Sequence, residues 1–473
     1  EMCIRDRCIT NRDRMFDCPQ NLREEEMFEV PEWAANKVVY QIFPSRFAAT
    51  EPVDKELWYK APITPMDDLH GNLRGIIEHM DDIQNLGIDV LYMTPIFQSN
   101  SCHKYDTTDY YQIDPSFGTT EDLKELVQKA HERGMKVVLD AVYNHTGREF
   151  FAFADILENG EKSKYRDWYF IDGFPLKSEW GEIPNFKCFG YYGGMPKLNL
   201  KNPEVEKYIT DVACYWIKEC DIDGWRLDVG DEISHFFWKN FRKAVKAVKK
   251  DMLIIGEIWH YAGDFLEGDE WDTVMNYPFY LNLIDLLADE KITVSQFVQN
   301  LGYLKGRLHK NCYPLMWNLI DSHDTARFLH LCNDNKKKQH LAAAFQLLLP
   351  GMPMIYYGDE YAMPGANDPD CRRGMYWDEE YQDKEMYEWY KRLIQVRKSH
   401  ACIVEGELAG SVTEDEEGTI VLIRKNGEET IAMIFNCSSS AKKFNEYTQK
   451  YNLLTENTFD GNVEGFDAAV IVL

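Results

Sequence analysis

Arg226 and Asp228 lie two positions apart in a short, mostly apolar stretch, residues 224–229 with the sequence GWRLDV. In a β-strand, residues i and i+2 point to the same face, so these two charged side chains are expected to project together. The guanidinium would then lower the pKa of Asp228 and keep it ionised, as a carboxylate nucleophile requires. A buried ion pair with a structural role explains this stretch equally well when it is taken alone.

Other polar residues also follow apolar, strand-like runs. They are Asp140, Asn144 and His145, then Glu257 and Trp259, and then His323 and Asp324. If the runs are neighbouring parallel strands of a barrel, their carboxyl ends meet at one mouth. Asp228, Glu257 and Asp324 would then converge there, which a set of unrelated structural ion pairs does not explain.

Three carboxylates with few basic groups fit glycoside hydrolysis, which needs one carboxylate ionised and another protonated. Arg226 would keep Asp228 charged, whereas the apolar neighbours of Glu257 and a nearby anion would raise the pKa of Glu257. A metal cluster is the competing explanation. His145 and His323 lack the close H-x-H or H-x-x-x-H spacing of a chelate, so no metal site is predicted.

The elements that must position these residues alternate between strand and helix. Eight apolar runs predict strands at residues 38–44, 88–93, 136–142, 224–229, 252–257, 273–275, 315–320 and 354–357. Helical patterns lie between several of them, at residues 73–86, 121–133, 204–220, 232–249 and 339–349. This order predicts an α/β fold, a (β/α)8 TIM barrel whose parallel strands are buried on both faces. An open doubly wound sheet is the alternative, but no GxGxxG loop follows the first strand.

The barrel is expected to span residues 36–395. Residues 143–203, after the third strand, are too many for a simple loop and should form a small excursion domain. Residues 396–473 contain short alternating runs and an Asn-Gly turn, which predict a C-terminal antiparallel β-sandwich. Residues 1–35 are interpreted as a linker or the remnant of a truncated N-terminal domain. Within them, residues 2–7 resemble a translated sequencing adapter and are left out of the fold prediction.

Composition limits the classes of partner. A net charge of −27 over 473 residues argues against nucleic acid and against an anionic membrane surface. The sequence has no apolar run long enough to span a membrane and no apolar signal core. Twelve cysteines without CxxC pairs indicate reduced thiols and a cytoplasmic location. The 12 Trp and 27 Tyr suit a sugar ligand, although a protein core could use them equally well.

Four segments resemble the signature segments of the α-amylase family, glycoside hydrolase family 13. They are residues 140–145 (DAVYNH), 224–228 (GWRLD), 256–259 (GEIW) and 322–324 (SHD). Residues 195–199 (MPKLN) are similar to a fifth segment of the neopullulanase, cyclomaltodextrinase and maltogenic amylase branch. The resemblance covers roughly residues 36–473.

This resemblance implies a retaining glycoside hydrolase that cleaves α-1,4-glucosidic bonds of cyclodextrins, pullulan, starch and maltooligosaccharides, with some transfer to sugar acceptors. Asp228 would be the nucleophile, oriented by Arg226. Glu257 would be the general acid and then the base, and Asp324 would stabilise the transition state. The alternatives are an exo-acting α-glucosidase or a glucan transferase on the same barrel, and a non-catalytic binding protein that kept the fold.

The resemblance also implies positions for further substrate-binding residues along the sugar chain. The histidines would hydrogen-bond the sugar at the cleavage site, and Tyr105 would stack on it. Asp368 and Arg372 would contact the next sugar outward, whereas Tyr105, His145 and His323 would contact the sugar at the cleavage site. Glu232 and Trp259 would face the leaving side.

Some features depart from the family pattern. Residues 45–50 read SRFAAT where the family usually has DRFxNG, which removes two oxygen ligands of a calcium site found in some relatives. No cofactor is therefore expected to be required, and a structural calcium ion is disfavoured. The branch usually has an extra N-terminal β domain that helps to form a dimer. That domain is absent from this sequence, so a homodimer is allowed only for a longer, full-length protein.

Overall fold

The computed structural model describes residues 28–177 and 183–473. The hypothesis that residues 2–7 derive from an adapter lies outside the described residues, as does most of the predicted segment 1–35. The part of that segment that is described packs against the barrel. Trp33 donates its indole N–H to the carbonyl oxygen of Asp251 at 2.8 Å, and Asn311 donates to the carbonyl oxygen of Phe28 at 2.6 Å.

A closed parallel barrel forms the larger part of the structure. In chain order, the strands as far as the last barrel strand are β1 Val39–Ile42, β2 Val90–Met93, β3 Phe97–Ser99, β4 Thr107–Ile113, β5 Lys136–Ala141, β6 Gly224–Leu227, β7 Leu253–Gly256, β8 Thr273–Val274, β9 Trp317–Asn318 and β10 Met352–Tyr356. Eight of them form one parallel sheet in the order β8-β7-β6-β5-β2-β1-β10-β9. A parallel bridge between Met275 and Trp317 joins the two ends of this sheet. The predicted (β/α)8 barrel is therefore confirmed.

The apolar character of the strands follows from burial on both of their faces. Val39, Val90 and Leu253 belong to one buried cluster, whereas Tyr40 and Leu91, their neighbours in sequence, belong to the second and larger one. Successive side chains of a strand point to opposite faces, so one set fills the barrel and the other packs under the helices. The antiparallel hairpin of β3 and β4, which the sequence analysis did not predict, lies between the second and third barrel strands.

Most of the helices of the described residues pack around this barrel, and the others lie in the excursion and at the start of the C-terminal part. Their bounds are Pro44–Phe47, Lys55–Trp58, Leu73–Glu78, Met80–Leu86, Thr120–Glu132, Phe151–Asn159, Pro203–Cys220, His235–Val248, Tyr277–Leu283, Val294–Gly306, Phe328–Leu331, Lys336–Leu348, Lys384–Ser399 and Cys402–Glu405. The helix predicted for residues 232–249 begins later than expected, because Ser234 caps it by accepting a hydrogen bond from the backbone N–H of Phe237. Glu232 instead ends the 3-10 turn Gly230–Glu232. The helix predicted for residues 73–86 is divided at His79.

The predicted excursion, residues 143–203, contains the helix Phe151–Asn159 followed by mostly irregular chain. An isolated antiparallel bridge between His145 and Lys197 ties its two ends together, and a second one between Cys188 and Pro196 closes a hairpin near its C-terminal end. These bridges hold the excursion against the mouth of the barrel. Within the described residues, no helix is both long and apolar enough to cross a membrane.

The C-terminal part is an antiparallel β structure, as predicted. Its strands are β11 Glu407–Glu414, β12 Thr419–Asn426, β13 Glu429–Asn436, β14 Lys442–Lys443, β15 Tyr451–Asn452, β16 Asn457–Thr458, β17 Asn462–Val463 and β18 Asp467–Val472. Six of them form one sheet in the order β11-β12-β13-β18-β15-β16, and β14 pairs with β17 in a separate ribbon. Val421, Ile434 and Ile471 of the large sheet share a core with Phe444 and Val463.

A buried carboxyl group links the first barrel strand to the chain after the last one. Tyr40 donates its hydroxyl to Glu360 at 2.6 Å, and the backbone N–H of Gly358 donates to the same carboxyl group at 2.9 Å. Burial raises the pKa of Glu360 from 4.5 to about 7. The folded state therefore keeps this proton at a pH where the unfolded chain has lost it, so stability falls as pH rises from about 4.5 to 7.

Replacing Glu360 with glutamine should remove this loss of stability at higher pH. The amide cannot ionise, and it can accept a hydrogen bond from Gly358 and donate one to Tyr40. We expect the unfolding free energy of Glu360→Gln, relative to the unsubstituted protein, to rise by up to about 3 kcal/mol between pH 4.5 and 8. Denaturant titrations at several pH values measure this difference. Glu388→Gln, at an exposed helix position, should leave the pH profile unchanged. Parallel profiles for Glu360→Gln and the unsubstituted protein would contradict the prediction.

Candidate active site

Arg226 lies at the centre of a cluster of four carboxylates and is wholly buried. Its Nη1 atom donates to both oxygens of Asp140 and to Oδ1 of Asp228, each at 3.0 Å. Its Nη2 atom is 2.9 Å from Oε2 of Glu257 and 3.8 Å from Oδ2 of Asp324. The structure thus brings together the three carboxylates that the sequence singled out, at the carboxyl ends of the barrel strands.

The backbone immediately after β6 fixes how two of these carboxylates face each other. Asp228 is the first residue beyond the strand, and Val229 follows it with φ 46° and ψ 46°. A β-branched residue in this left-handed conformation is a genuine outlier, of the kind that clusters at functional sites. The conformation lets the backbone N–H of Val229 donate to Oε2 of Glu257 at 2.9 Å. Oδ2 of Asp228 is buried and accepts no hydrogen bond from the described residues.

Glu257 is the residue after β7, and its second oxygen faces an aromatic pair. Oε1 accepts a hydrogen bond from the indole N–H of Trp259 at 3.2 Å. The Trp259 ring stacks on Tyr277 with a centroid separation of 4.0 Å, and Trp259 is 43% exposed. A partly exposed aromatic face beside the carboxyl group suits the apolar face of a sugar ring.

The pKa values of the cluster follow from burial and from the sharing of one cation. Burial raises the pKa of Glu257, and the charge of Arg226 opposes this rise. Burial also raises the pKa of Asp228 well above its usual range, again against Arg226, and raises that of Asp140 to about 6. The prediction that Arg226 holds the pKa of Asp228 below its ordinary value is therefore wrong in its net direction. One guanidinium serves four carboxylates, so the cluster retains protons that a simple ion pair would lose.

A chain of hydrogen bonds connects Asp324 to the wall of the barrel. Gln41 donates to Nδ1 of His323 at 2.8 Å, which leaves Nε2 as the protonated nitrogen. That Nε2 is 3.2 Å from Oδ1 of Asp324 and 2.5 Å from the hydroxyl oxygen of Tyr105, whose ring lies parallel to the imidazole. Burial lowers the pKa of His323 well below its usual value. His323 is therefore a neutral donor.

Asp140 is a member of the site to which the sequence analysis gave no role. It accepts hydrogen bonds from the hydroxyls of Tyr92, at 2.6 Å, and Tyr105, at 3.0 Å, besides those from Arg226. In the parallel register of β5 and β6, Asp140 pairs directly with Arg226. Because Asp140 was already placed at a strand end, that register is the signal that could have identified it. Gln41 and Tyr92, inside otherwise apolar strands, gave no comparable signal.

His145 and Glu232 lie on the side of the mouth that the excursion covers. Nε2 of His145 is 3.1 Å from the carbonyl oxygen of Tyr105, and burial lowers the pKa of His145 to about 3, so it too is neutral. Lys197 donates to Oε2 of Glu232 at 2.9 Å and to Oδ1 of Asn144 at 2.5 Å. Lys197, within the MPKLN segment, thus ties the excursion to Glu232.

Arg372 and Asp368 lie at the opposite rim, beside Asp324. Arg372 donates through Nε to the carbonyl oxygen of His323 at 2.8 Å, and its Nη1 is 2.8 Å from Asp368. Its Nη2 is 3.5 Å from Oδ1 of Asp324. All eleven residues predicted for the site are therefore placed around one mouth. Within the described residues, no group of three or more His, Cys, Asp or Glu side chains is arranged to hold a metal ion. The expectation that no metal is needed stays a prediction.

Comparison with known proteins yields one family. The model of the alpha amylase catalytic domain matches residues 41–406. A cyclomaltodextrinase from Geobacillus thermopakistaniensis is 46% identical over 430 residues, covering 90% of this chain and 73% of the relative. Neopullulanase 2 from Thermoactinomyces vulgaris is 42% identical over 421 residues, covering 88% of this chain and 72% of the relative. Among solved structures, a cyclomaltodextrinase superposes with a TM-score of 0.90 at 38% identity, covering 98% of this chain and 82% of that one.

Proposed function

The chain belongs to the α-amylase family, and from that premise we propose that it is a retaining hydrolase of α-1,4-glucosidic bonds. Its proposed substrates are cyclodextrins, pullulan, starch and maltooligosaccharides. The observation that carries the proposal is the unoccupied Oδ2 of Asp228 beside Glu257, with both carboxyl groups on one guanidinium. Because both carboxyl groups contact one guanidinium, we propose the retaining mechanism, in which the two carboxyl groups lie closer together than in inverting enzymes.

In the first step, Oδ2 of Asp228 attacks the anomeric carbon while Glu257 donates its proton to the departing glycosidic oxygen. The bond between the anomeric carbon and that oxygen breaks, and a covalent glycosyl-enzyme forms. Burial raises the pKa of Glu257, which favours the protonated form that a general acid requires. Asp228 must be ionised for this step, and the guanidinium of Arg226, 3.0 Å from its Oδ1, would stabilise that anion.

In the second step, Glu257, now ionised, accepts a proton from water, which attacks the anomeric carbon and releases Asp228. Two displacements restore the α configuration. A sugar hydroxyl in place of water gives transfer instead of hydrolysis. The carboxyl groups supply every proton transfer and covalent bond of this cycle, so we propose that no cofactor is required.

The remaining residues hold the sugar. Asp324, about a quarter exposed, faces the mouth and is positioned to accept hydrogen bonds from sugar hydroxyls. His145 and His323 are neutral and would contact the sugar at the cleavage site without adding charge. Arg372 with Asp368 on one rim, and Glu232 with Trp259 on the other, would contact the neighbouring sugars. The nine free cysteines of the described residues support a reducing compartment, which we propose is the cytoplasm.

Product chromatography distinguishes this proposal from its runner-up. We expect β-cyclodextrin and starch to yield mainly maltose, and pullulan to yield panose, because the site accepts sugars on both sides of the cleaved bond. An exo-acting α-glucosidase would release free glucose from starch and pullulan from the first minutes of reaction and would leave β-cyclodextrin, which has no chain end, intact. A glucan transferase would give longer chains with little net hydrolysis. Glucose as the sole early product from starch and pullulan, with β-cyclodextrin left intact, would contradict the proposal.

A further inference from the structure

The excursion contains a strained turn whose tyrosine is almost fully exposed. The backbone N–H of Tyr192 donates to the carbonyl oxygen of Phe189 at 2.9 Å, which closes the turn. Its two central residues, Gly190 and Tyr191, have φ values of 58° and 59°. Positive φ at both positions is the geometry of a type I′ turn, which favours glycine at its second central position. Tyrosine at that position is strained.

Packing does not explain the exposure of Tyr191 in this turn. Tyr191 is 89% exposed and Tyr192 is 50% exposed. Gly194 has no side chain, and a Cβ there would lie 2.3 Å from a ring carbon of Tyr192, so this glycine lets the ring lie close against the backbone. A strained backbone that presents aromatic rings to solvent is a pattern that points to ligand contact rather than to stability.

The turn is adjacent to the catalytic mouth. Phe189, at its start, stacks on the ring of His145 with a centroid separation of 5.1 Å. Tyr191 is two residues further along, a distance of at most about 7 Å of extended chain. A bridge between Cys188 and Pro196 closes the hairpin that contains this turn. The next residue, Lys197, forms an ion pair with Glu232. The tip therefore lies near the side of the mouth to which Glu232 belongs, the leaving-group side of the proposed reaction.

We propose that Tyr191 and Tyr192 form an aromatic rim that binds a glucose residue of the α-glucan beyond the cleaved bond, on the leaving-group side. This inference rests on the proposed function. The apolar face of a glucose ring stacks on tyrosine, and the tyrosine hydroxyl stays in water. The rim would favour substrates that continue past the cleavage site, such as cyclodextrins and longer chains, over substrates that end there.

The test compares two substrates in a variant that removes the ring of Tyr191 without adding strain. Asparagine tolerates the left-handed conformation, so Tyr191→Asn should fold normally. β-Cyclodextrin has sugars on the leaving-group side, whereas nitrophenyl α-maltoside has only an aryl group there. We expect the ratio of kcat/KM for β-cyclodextrin to that for nitrophenyl α-maltoside to fall about tenfold, mainly through KM, as the loss of one aromatic contact implies.

Three further variants make the result decisive. Tyr191→Phe keeps the ring and should keep the ratio. Tyr191→Gly removes both ring and strain, so it should lower the ratio while the melting temperature holds or rises. Tyr451→Asn alters a tyrosine that is 48% exposed in the C-terminal sheet and should change nothing. An unchanged kcat/KM ratio in Tyr191→Asn, or an equal fall of that ratio in Tyr191→Phe, would contradict the proposed aromatic rim. If the unsubstituted protein cleaves neither substrate, the proposed function itself fails.

Discussion

Replacing Asp228 with asparagine is expected to lower kcat on β-cyclodextrin by about 10⁴-fold or more, with little change in substrate binding. The amide matches the carboxylate in shape but cannot form the glycosyl ester. The fold should not suffer, because the substitution removes one of four anions that share Arg226. We expect the melting temperature to hold or rise, since the neutral amide avoids the cost of burying an ionised carboxylate.

Two further variants distinguish a nucleophile from a residue that only shapes the site. In Asp228→Gly, azide should enter the vacated space, attack the anomeric carbon in a single displacement and give a β-glycosyl azide. Asp231→Asn changes an exposed carboxylate on the same loop and should keep kcat within about twofold, as surface substitutions usually do. Near-normal turnover in Asp228→Asn would contradict the assignment of the nucleophile.

Replacing Glu257 with glutamine is expected to lower kcat on β-cyclodextrin by about 10³-fold, because the departing sugar loses its proton donor. The effect should depend on the leaving group. Fluoride leaves without protonation, so the first step with α-maltosyl fluoride should continue. The second step still needs a base, so the glycosyl-enzyme should accumulate and appear as a burst of fluoride followed by slow turnover. Stopped-flow or electrode measurement of fluoride checks this.

The matched control for this variant is Glu267→Gln, a carboxylate whose side chain is 66% exposed. It should leave both reactions unchanged. Azide added to Glu257→Ala should give an α-glycosyl azide, the opposite anomer to that expected from Asp228→Gly, because azide then replaces the water of the second step. Equal losses on the fluoride and on β-cyclodextrin would show that Glu257 is not the acid.

The sequence was sufficient for the architecture and for the convergence of the carboxylates. Parallel strands buried on both faces have near-continuous apolar sequences, and polar residues at their carboxyl ends must meet at one mouth. This pattern is enough to predict that Asp228, Glu257 and Asp324 lie together. The short hairpin of β3 and β4, which leads to Tyr105, was not predicted because its strands carry no clear alternation.

The energetics of the site could not be obtained in the same way. Strand alternation indicated that Arg226 faces Asp228, but not that the same guanidinium also contacts Asp140 and Glu257. The pKa of Asp228 depends on that sharing and on burial, both of which are tertiary properties. The left-handed backbone of Val229 is likewise set by its surroundings, against the preference of a β-branched residue.

The central claim is that Asp228 forms a covalent bond to the substrate, and trapping that bond tests it most directly. Glu257→Gln would be incubated with α-maltosyl fluoride, quenched in acid, digested with pepsin and examined by mass spectrometry. We predict one maltosyl unit on the peptide that contains Asp228, located on that residue by fragmentation and absent from the double variant with Asp228→Asn. A label on Asp324 or Asp140, or fluoride release without any covalent species, would contradict the account.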